Sequence, residues 1–306
     1  MSKPKVAVLM SSYNGEKFIK EQIDSILAQE DVDVTLYIRD DGSTDQTVEI
    51  AKSYIGSKKV KLMANGKNLR CGLSFMALLF KVVRTEPAYD YYAFADQDDI
   101  WLEKKIISAV EMIRGSEQPA LYCSNLMLYR NGKKDGLRFP EKPELGVWDH
   151  VISNAICGCT MVMDARLAKI VAETPLPGTD FLNARYHDSW VYLVACVEGK
   201  VYYDPRSFIL YRQHENNVIG VRKLNVKQRV DRYFKGSIKN KRTRSAQYLL
   251  NAFPETDFED RDRVEMLAYY QKSLKNRANL ILNAKRCKQN GEKTSAFIVK
   301  VILGYI

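Results

Sequence analysis

Four times before residue 114 a short apolar run is followed by a segment whose apolar residues recur at helical spacing. Val6-Ala7-Val8-Leu9-Met10 reads as a buried parallel strand, and the helix after it carries Phe18, Ile19, Ile23, Ile26 and Leu27 on one face. Thr35 to Arg39 is a second strand, Val60 to Met63 a third before an apolar helix at 75–83, and Tyr91 to Phe94 a fourth before Ile106 to Ile113. Such alternation fits an open α/β fold with a mainly parallel sheet and few alternatives. Ligands of such a sheet bind beyond the carboxyl ends of its strands. Polar residues gather after strands one, two and four, so topology alone brings Tyr13, Asn14, Asp40, Asp41, Asp96 and Asp98 to one edge.

The fourth of these loops, Ala95-Asp96-Gln97-Asp98-Asp99-Ile100-Trp101, places three carboxylates within four residues. Carboxylates this close repel one another unless positive charge lies between them. Hard oxygen ligands at this spacing suit Mg2+ or Mn2+, ions that commonly hold a substrate diphosphate. A plainer reading has Asp99 capping the next helix and its neighbours solvated. Asp40-Asp41-Gly42-Ser43-Thr44-Asp45 carries the same ambiguity. Ser43 with Gln46 fits a capping box before Val48 to Ile50, which leaves the aspartate pair unexplained. Neither GxGxxG nor a Walker A loop is present.

The second half begins sheet-like. Leu121 to Tyr129 meets an Asn131-Gly132 turn, a hairpin signal. The Cys157-Gly158-Cys159 pair reads as packing rather than redox chemistry. Arg185-Tyr186-His187-Asp188-Ser189-Trp190 opens a helix with Val191, Val194 and Ala195 inward, so Asp188 is either a carboxylate favoured by the helix dipole or a general base. Asp180 competes for the second role; Asp164 and Asp149 match no motif. Tyr202 to Tyr211 reads as a strand pair around Pro205, leading to Tyr211-Arg212-Gln213-His214, where His214 is either structural or a ligand.

Charge divides the chain. Residues 222–306 hold 20 Lys/Arg and 8 Asp/Glu, a net +12, so the +10 of the whole leaves residues 1–221 at −2. The extension opens with a basic run from Arg222 to Arg244 that includes Tyr233 and Phe234. It continues as an amphipathic helix through Val264, Leu267, Tyr270, Leu274, Ala278 and Ile281, and ends apolar at 296–303. It suits an anionic membrane surface, or packing on residues 1–221 or a second subunit as a homodimer. No stretch approaches the ~20 apolar residues of a membrane span, and Met1 to Lys5 does not read as a signal peptide. Six scattered cysteines argue against a disulfide framework and for a reducing, cytoplasmic setting. A nucleic-acid binder would rest on the basic extension alone, so nucleic acid is not an expected partner. A nucleotidyltransferase would bring a glycine-rich basic loop after strand one, where Ser11 to Gly15 has no cation.

Ser12-Tyr13-Asn14-Gly15, Asp40-Asp41-Gly42-Ser43-Thr44-Asp45 and Ala95 to Trp101 resemble, in order and spacing, family 2 glycosyltransferases of the GT-A fold. Together with His187-Asp188 and Tyr211-Arg212-Gln213-His214, they are most similar to bacterial rhamnosyltransferases of polysaccharide assembly. The resemblance covers about residues 4–221. It implies a GT-A catalytic domain over 1–221 and a basic helical extension over 222–306. The donor nucleotide would be held by Ser12, Tyr13, Asn14, Asp40, Asp41, Asp96 and Gln97, and a Mg2+ or Mn2+ ion by Asp98 and His214. Arg212, Trp101 and His187 would lie on the diphosphate and acceptor side, with Asp188 as the base. The implied activity is inverting transfer from a nucleotide sugar, dTDP-L-rhamnose or alternatively a UDP-sugar, to a lipid-linked saccharide at the inner face of the cell membrane. Ser189 stands where many members carry an aromatic, so the acceptor pocket differs from theirs.

Overall fold

A computed structural model describes residues 2–64, 67–153, 156–214, 240–289 and 291–306. The strands are β1 (Lys5–Ser12), β2 (Asp33–Asp40), β3 (Val60–Ala64), β4 (Tyr91–Ala95), β5 (Ile100–Trp101), β6 (Ala120–Arg130), β7 (Lys133–Leu137), β8 (Val162–Asp164) and β9 (Lys200–Arg212). They form one sheet in the order β3-β2-β1-β4-β8-β6-β9-β5, with β7 hairpinned on β6. The first four strands are parallel, and β8 is antiparallel to both β4 and β6. The hairpin turn has Asn131 and Gly132 at φ 49° and 77°, the left-handed pair that a two-residue turn requires.

Strand alternation divides the core into two layers. Val6, Val8 and Met10 of β1 face α1 (Ile19–Leu27) and α4 (Lys105–Ile113), with α2 (Thr47–Lys52) alongside. Ala7 and Leu9 face α3 (Cys71–Thr85), α6 (Ala165–Glu173) and α7 (Thr179–Glu198), with α5 (Val147–Ile152) beyond. The extension adds α8 (Lys241–Ala252), α9 (Arg261–Tyr269), α10 (Leu274–Leu282), α11 (Ala284–Cys287) and α12 (Thr294–Leu303). Its Leu249, Leu250, Val264, Leu267, Tyr270, Leu280, Phe297 and Val301 are buried in the same cluster as Trp148 of α5 and Trp190 of α7. Burial of each large apolar side chain is worth about 1.5–3 kcal/mol, which binds these helices to the sheet. Lys241 and Arg242 also donate to the carbonyls of Ala184 and Ile152 at 2.9 and 3.2 Å. The inner face of the extension therefore packs on the N-terminal part of the chain. No helix among the described residues is long and apolar enough to cross a membrane. Most of the basic run, from Arg222 to Lys239, lies outside the described residues.

Several local expectations change. Ser43 does not cap α2. Its hydroxyl donates to Asp40 and accepts from Asn14 N–H, while Asp45 takes the Thr47 N–H at 3.0 Å. The helix at 264–281 is two helices, because the Ser273 side chain caps a new start by accepting from Asn276 N–H at 3.2 Å. Tyr202 to Tyr211 belongs to one strand: Pro205, which has no N–H for the ladder, sits where the register of β9 against β6 shifts. Asp99 caps nothing. It is fully buried and accepts from Arg212 N–H at 3.1 Å.

Candidate active site

A cavity of about 620 Å³ opens beyond the carboxyl ends of β1, β2 and β4. Of the residues expected at the site, Ser12, Tyr13, Asn14, Asp41, Asp96, Gln97, Asp98, His187, Asp188 and His214 line it. Asp40, Trp101 and Arg212 do not.

One wall is made of short loops braced by their own side chains. Asp40, buried, receives N–H groups from Gly42 and Ser43 at 3.0 and 2.8 Å and the Ser12 hydroxyl at 3.1 Å, so it shapes the loops behind the cavity. Asp41 pairs with Arg39 and accepts from Leu69 and Arg70 N–H, both at 2.8 Å. Its negative charge thereby pins the β3–α3 loop. The Gln97 amide brackets the Tyr13 backbone, accepting its N–H at 2.8 Å and donating to its carbonyl at 3.0 Å. A Cβ on Gly15 would meet Gln97 Oε1 at 2.3 Å, so only glycine allows this approach. Asn14 reaches across to accept from Thr44 N–H at 2.9 Å. These bonds occupy the polar groups and leave the Tyr13 ring half exposed over the cavity.

The floor is acidic. Asp96 is pushed up to about 7, first by burial and then by the neighbouring carboxylates of Asp98 and Asp188. Asp98 Oδ2 meets His214 Nε2 at 2.8 Å, and the His214 ring lies 4.8 Å from that of Phe18. Arg212 stands behind this pair, donating through Nε to the Asp98 carbonyl at 2.9 Å and pairing with Glu21 at 2.5 Å. It positions the acidic loop from outside the cavity. Mutual repulsion among cavity-facing oxygens beside an imidazole fits a hard divalent cation, which Asp98 and His214 could hold. Asp96, Asp99 and Cys159 also converge within 4.8 Å. Burial raises Asp99 and the Cys159 thiol well above their ordinary values, and a thiol among the three suits a hard cation poorly. Trp101 is core: its ring lies 3.7 Å from buried Lys105 Nζ.

The opposite wall is built by a break in α7. Tyr186 has φ 63° and ψ 176°, a region nearly reserved for glycine, and the helix restarts with His187 and Asp188 in its first turn. Asp188 Oδ2 accepts from Gly158 N–H at 3.2 Å and Oδ1 from Ser189 N–H at 2.7 Å. A Cβ on Gly158 would meet His187 Nε2 at 2.5 Å. Burial holds His187 down at about 3, neutral, stacked 3.9 Å from Phe75. The rival carboxylates stand elsewhere. Asp164 caps α6, Asp149 lies in the first turn of α5, and Asp180 binds Arg244 and Tyr248, both at 2.7 Å.

Sequence reasoning missed Arg70 and Tyr186, which both line the cavity in left-handed backbone conformations. Arg70 sat in the loop after strand three, at an edge whose other loops were all polar. Nothing in the sequence marked Tyr186.

Residues 7–170 match the model of glycosyl transferase family 2. The chain is 33% identical over 220 residues to the dTDP-rhamnosyl transferase RfbG of Shigella flexneri, covering 69% of this chain and 73% of that one. It is 27% identical over 164 residues to the UDP-Glc:alpha-D-GlcNAc-diphosphoundecaprenol beta-1,3-glucosyltransferase WfgD of Escherichia coli, covering 53% of this chain and 61% of WfgD. In architecture it is similar to S. aureus TarS 1–349 solved with UDP-GlcNAc, at TM-score 0.60 and 15% identity over 97% of this chain and 79% of that one. That likeness concerns the fold, a GT-A-type α/β sheet with flanking helices.

Proposed function

The chain belongs to glycosyl transferase family 2, and from that premise we propose that it transfers L-rhamnose from dTDP-L-rhamnose to a lipid-linked saccharide, with inversion. One observation carries the reading: a single cavity gathers an exposed aromatic ring, Tyr13, a cation-suited pair, Asp98 and His214, and a carboxylate, Asp188, on the facing wall. Tyr13 stacks on the nucleobase. Asp98 and His214 would hold Mg2+ or Mn2+, which when bound neutralises charge on the leaving diphosphate. Asp188 accepts the proton of an acceptor hydroxyl as that oxygen bonds to the anomeric carbon and the bond to the diphosphate breaks. A single displacement of this kind inverts the anomeric centre.

The similarity to RfbG supports rhamnose, and the similarity to WfgD supports an acceptor on a lipid diphosphate, with a UDP-sugar donor as the second reading. We assign residues 1–221 to catalysis and 222–306, helical over its described residues, to an extension serving the inner face of the cell membrane. Nucleotide sugars should be screened for protection against thermal unfolding, with and without Mn2+, since a ligand bound only by the native state raises its melting point. dTDP-rhamnose should protect more than UDP-glucose or GDP-mannose, and EDTA should abolish transfer and lower protection. Greater protection by a UDP-sugar would move the donor to the second reading.

A further inference from the structure

Resting on the reading of a lipid-linked acceptor, we infer that the outward faces of α10 and α12 form the surface on which the protein docks to an anionic bilayer. The inward faces of these helices, through Leu280, Phe297 and Val301, complete the core. Large apolar side chains also stand on their outward faces. Leu274 and Leu282 of α10 are 82% and 81% exposed, and Val299, Ile302 and Leu303 of α12 are 52%, 55% and 56% exposed. Leu274, Ala278 and Leu282 recur every fourth residue, and Ala296, Val299 and Leu303 at three and four, so each helix shows a continuous exposed stripe. Soluble surfaces ordinarily scatter such residues singly.

Charge selects the occupant. Residues 266–306 hold eight Lys/Arg and one acidic residue, Glu292. That carboxylate is bound to Arg242 at 3.0 Å and Lys300 at 2.5 Å. Among the described residues, Lys272, Lys275, Lys285, Lys288 and Lys293 have no ion-pair partner. Residues 240–265, which pack on the catalytic half, hold five Lys/Arg and six Asp/Glu. Within residues 240–306 the excess is therefore confined to the part that carries the exposed stripes. Apolar stripes rimmed by unpaired lysines match the headgroup–acyl boundary of an anionic membrane. A second copy docking through the same face would oppose those lysines to one another.

The test is flotation of the full chain with vesicles of phosphatidylethanolamine and phosphatidylglycerol, against phosphatidylcholine alone. The protein should float with the anionic vesicles only. The double variants Leu274→Ser/Leu282→Ser and Val299→Ser/Ile302→Ser should each cut partitioning at least about tenfold with the melting temperature unchanged. Absence of flotation by the unaltered chain overturns the proposal, and so do variants that float normally. A dimer, seen by light scattering, that either variant dissolves assigns the face to a second copy and overturns it too. Nucleotide-sugar protection is measured separately, so loss of the donor reading with docking intact leaves this surface standing.

Discussion

The two walls of the cavity are held in shape by different means. On the wall that carries Tyr13, each loop is tied by side chains a few residues away or on the neighbouring loop: Asp40 to Gly42 and Ser43, Asn14 to Thr44, Gln97 to Tyr13. On the wall that carries Asp188, shape comes from a helix forced open at Tyr186 and from Gly158, whose missing side chain lets His187 close in. Local ties need particular residues at particular spacings, whereas a tertiary break needs only neighbours that over-determine it. If the walls also divide the labour, changes to one should move donor affinity and changes to the other transfer.

The largest effect is expected at Asp188. Asp188→Asn keeps the shape of the side chain but removes its basicity. Transfer should fall by a factor on the order of 100 to 10,000 while donor affinity by calorimetry is retained. Near-normal transfer would take Asp188 out of the chemistry, and lost donor binding would erase the division between walls.

Gly158→Ala comes next. Its methyl would lie 2.5 Å from His187 Nε2, so the imidazole or the Gly158 backbone has to shift, and the Asp188 carboxylate with it. A misplacement of this order costs up to about 100-fold in transfer, and roughly tenfold is expected here, again with donor affinity unchanged. Loss of both together would mean the walls are mechanically one.

On the facing wall, Gln97→Ala removes two hydrogen bonds from the Tyr13 backbone. Toward the lower end of the usual range, at about 0.7 kcal/mol each, the pair is worth about 1.4 kcal/mol, so freeing the loop should weaken donor binding by about tenfold. The maximal rate at saturating donor should stay close to normal. A drop in rate at unchanged affinity would reverse the assignment of the walls.

The same contrast explains what the sequence could disclose. The sheet and its edge were legible because short apolar runs alternating with segments of period near 3.6 leave few topologies. The loops were legible as polar clusters at the sheet edge, but their ties were not: Ser43 reads in sequence as a helix cap and instead donates to Asp40. Asp98 with His214 was legible as well, although through the family resemblance rather than through spacing. Trp101 misled because an aromatic beside an acidic motif looks alike whether it faces the cavity or, as here, buried Lys105. The extension misled in part: its apolar residues at three and four were read as one stripe, but the structure gives two helices with apolar residues on both faces. Tyr186 was illegible, since no residue type announces a backbone held against its preference.

That backbone yields the smallest and most specific effect. In a regular helix, glycine is less stable than alanine by about 1 kcal/mol, because its unfolded chain has more freedom to lose. At φ 63° and ψ 176° the order should invert. Alanine keeps a Cβ and therefore the strain of a nearly glycine-only region, on the order of 1–3 kcal/mol, while glycine releases it. Both substitutions remove the Tyr186 ring, so loss of its packing cancels in the comparison. Chemical denaturation should then find Tyr186→Gly more stable than Tyr186→Ala by about 1 kcal/mol, after the entropic penalty of glycine is set against the relief. The sign carries the argument. Alanine more stable than glycine would mean that residue 186 sits in an ordinary helical conformation, and the wall that carries Asp188 would need another account of its shape.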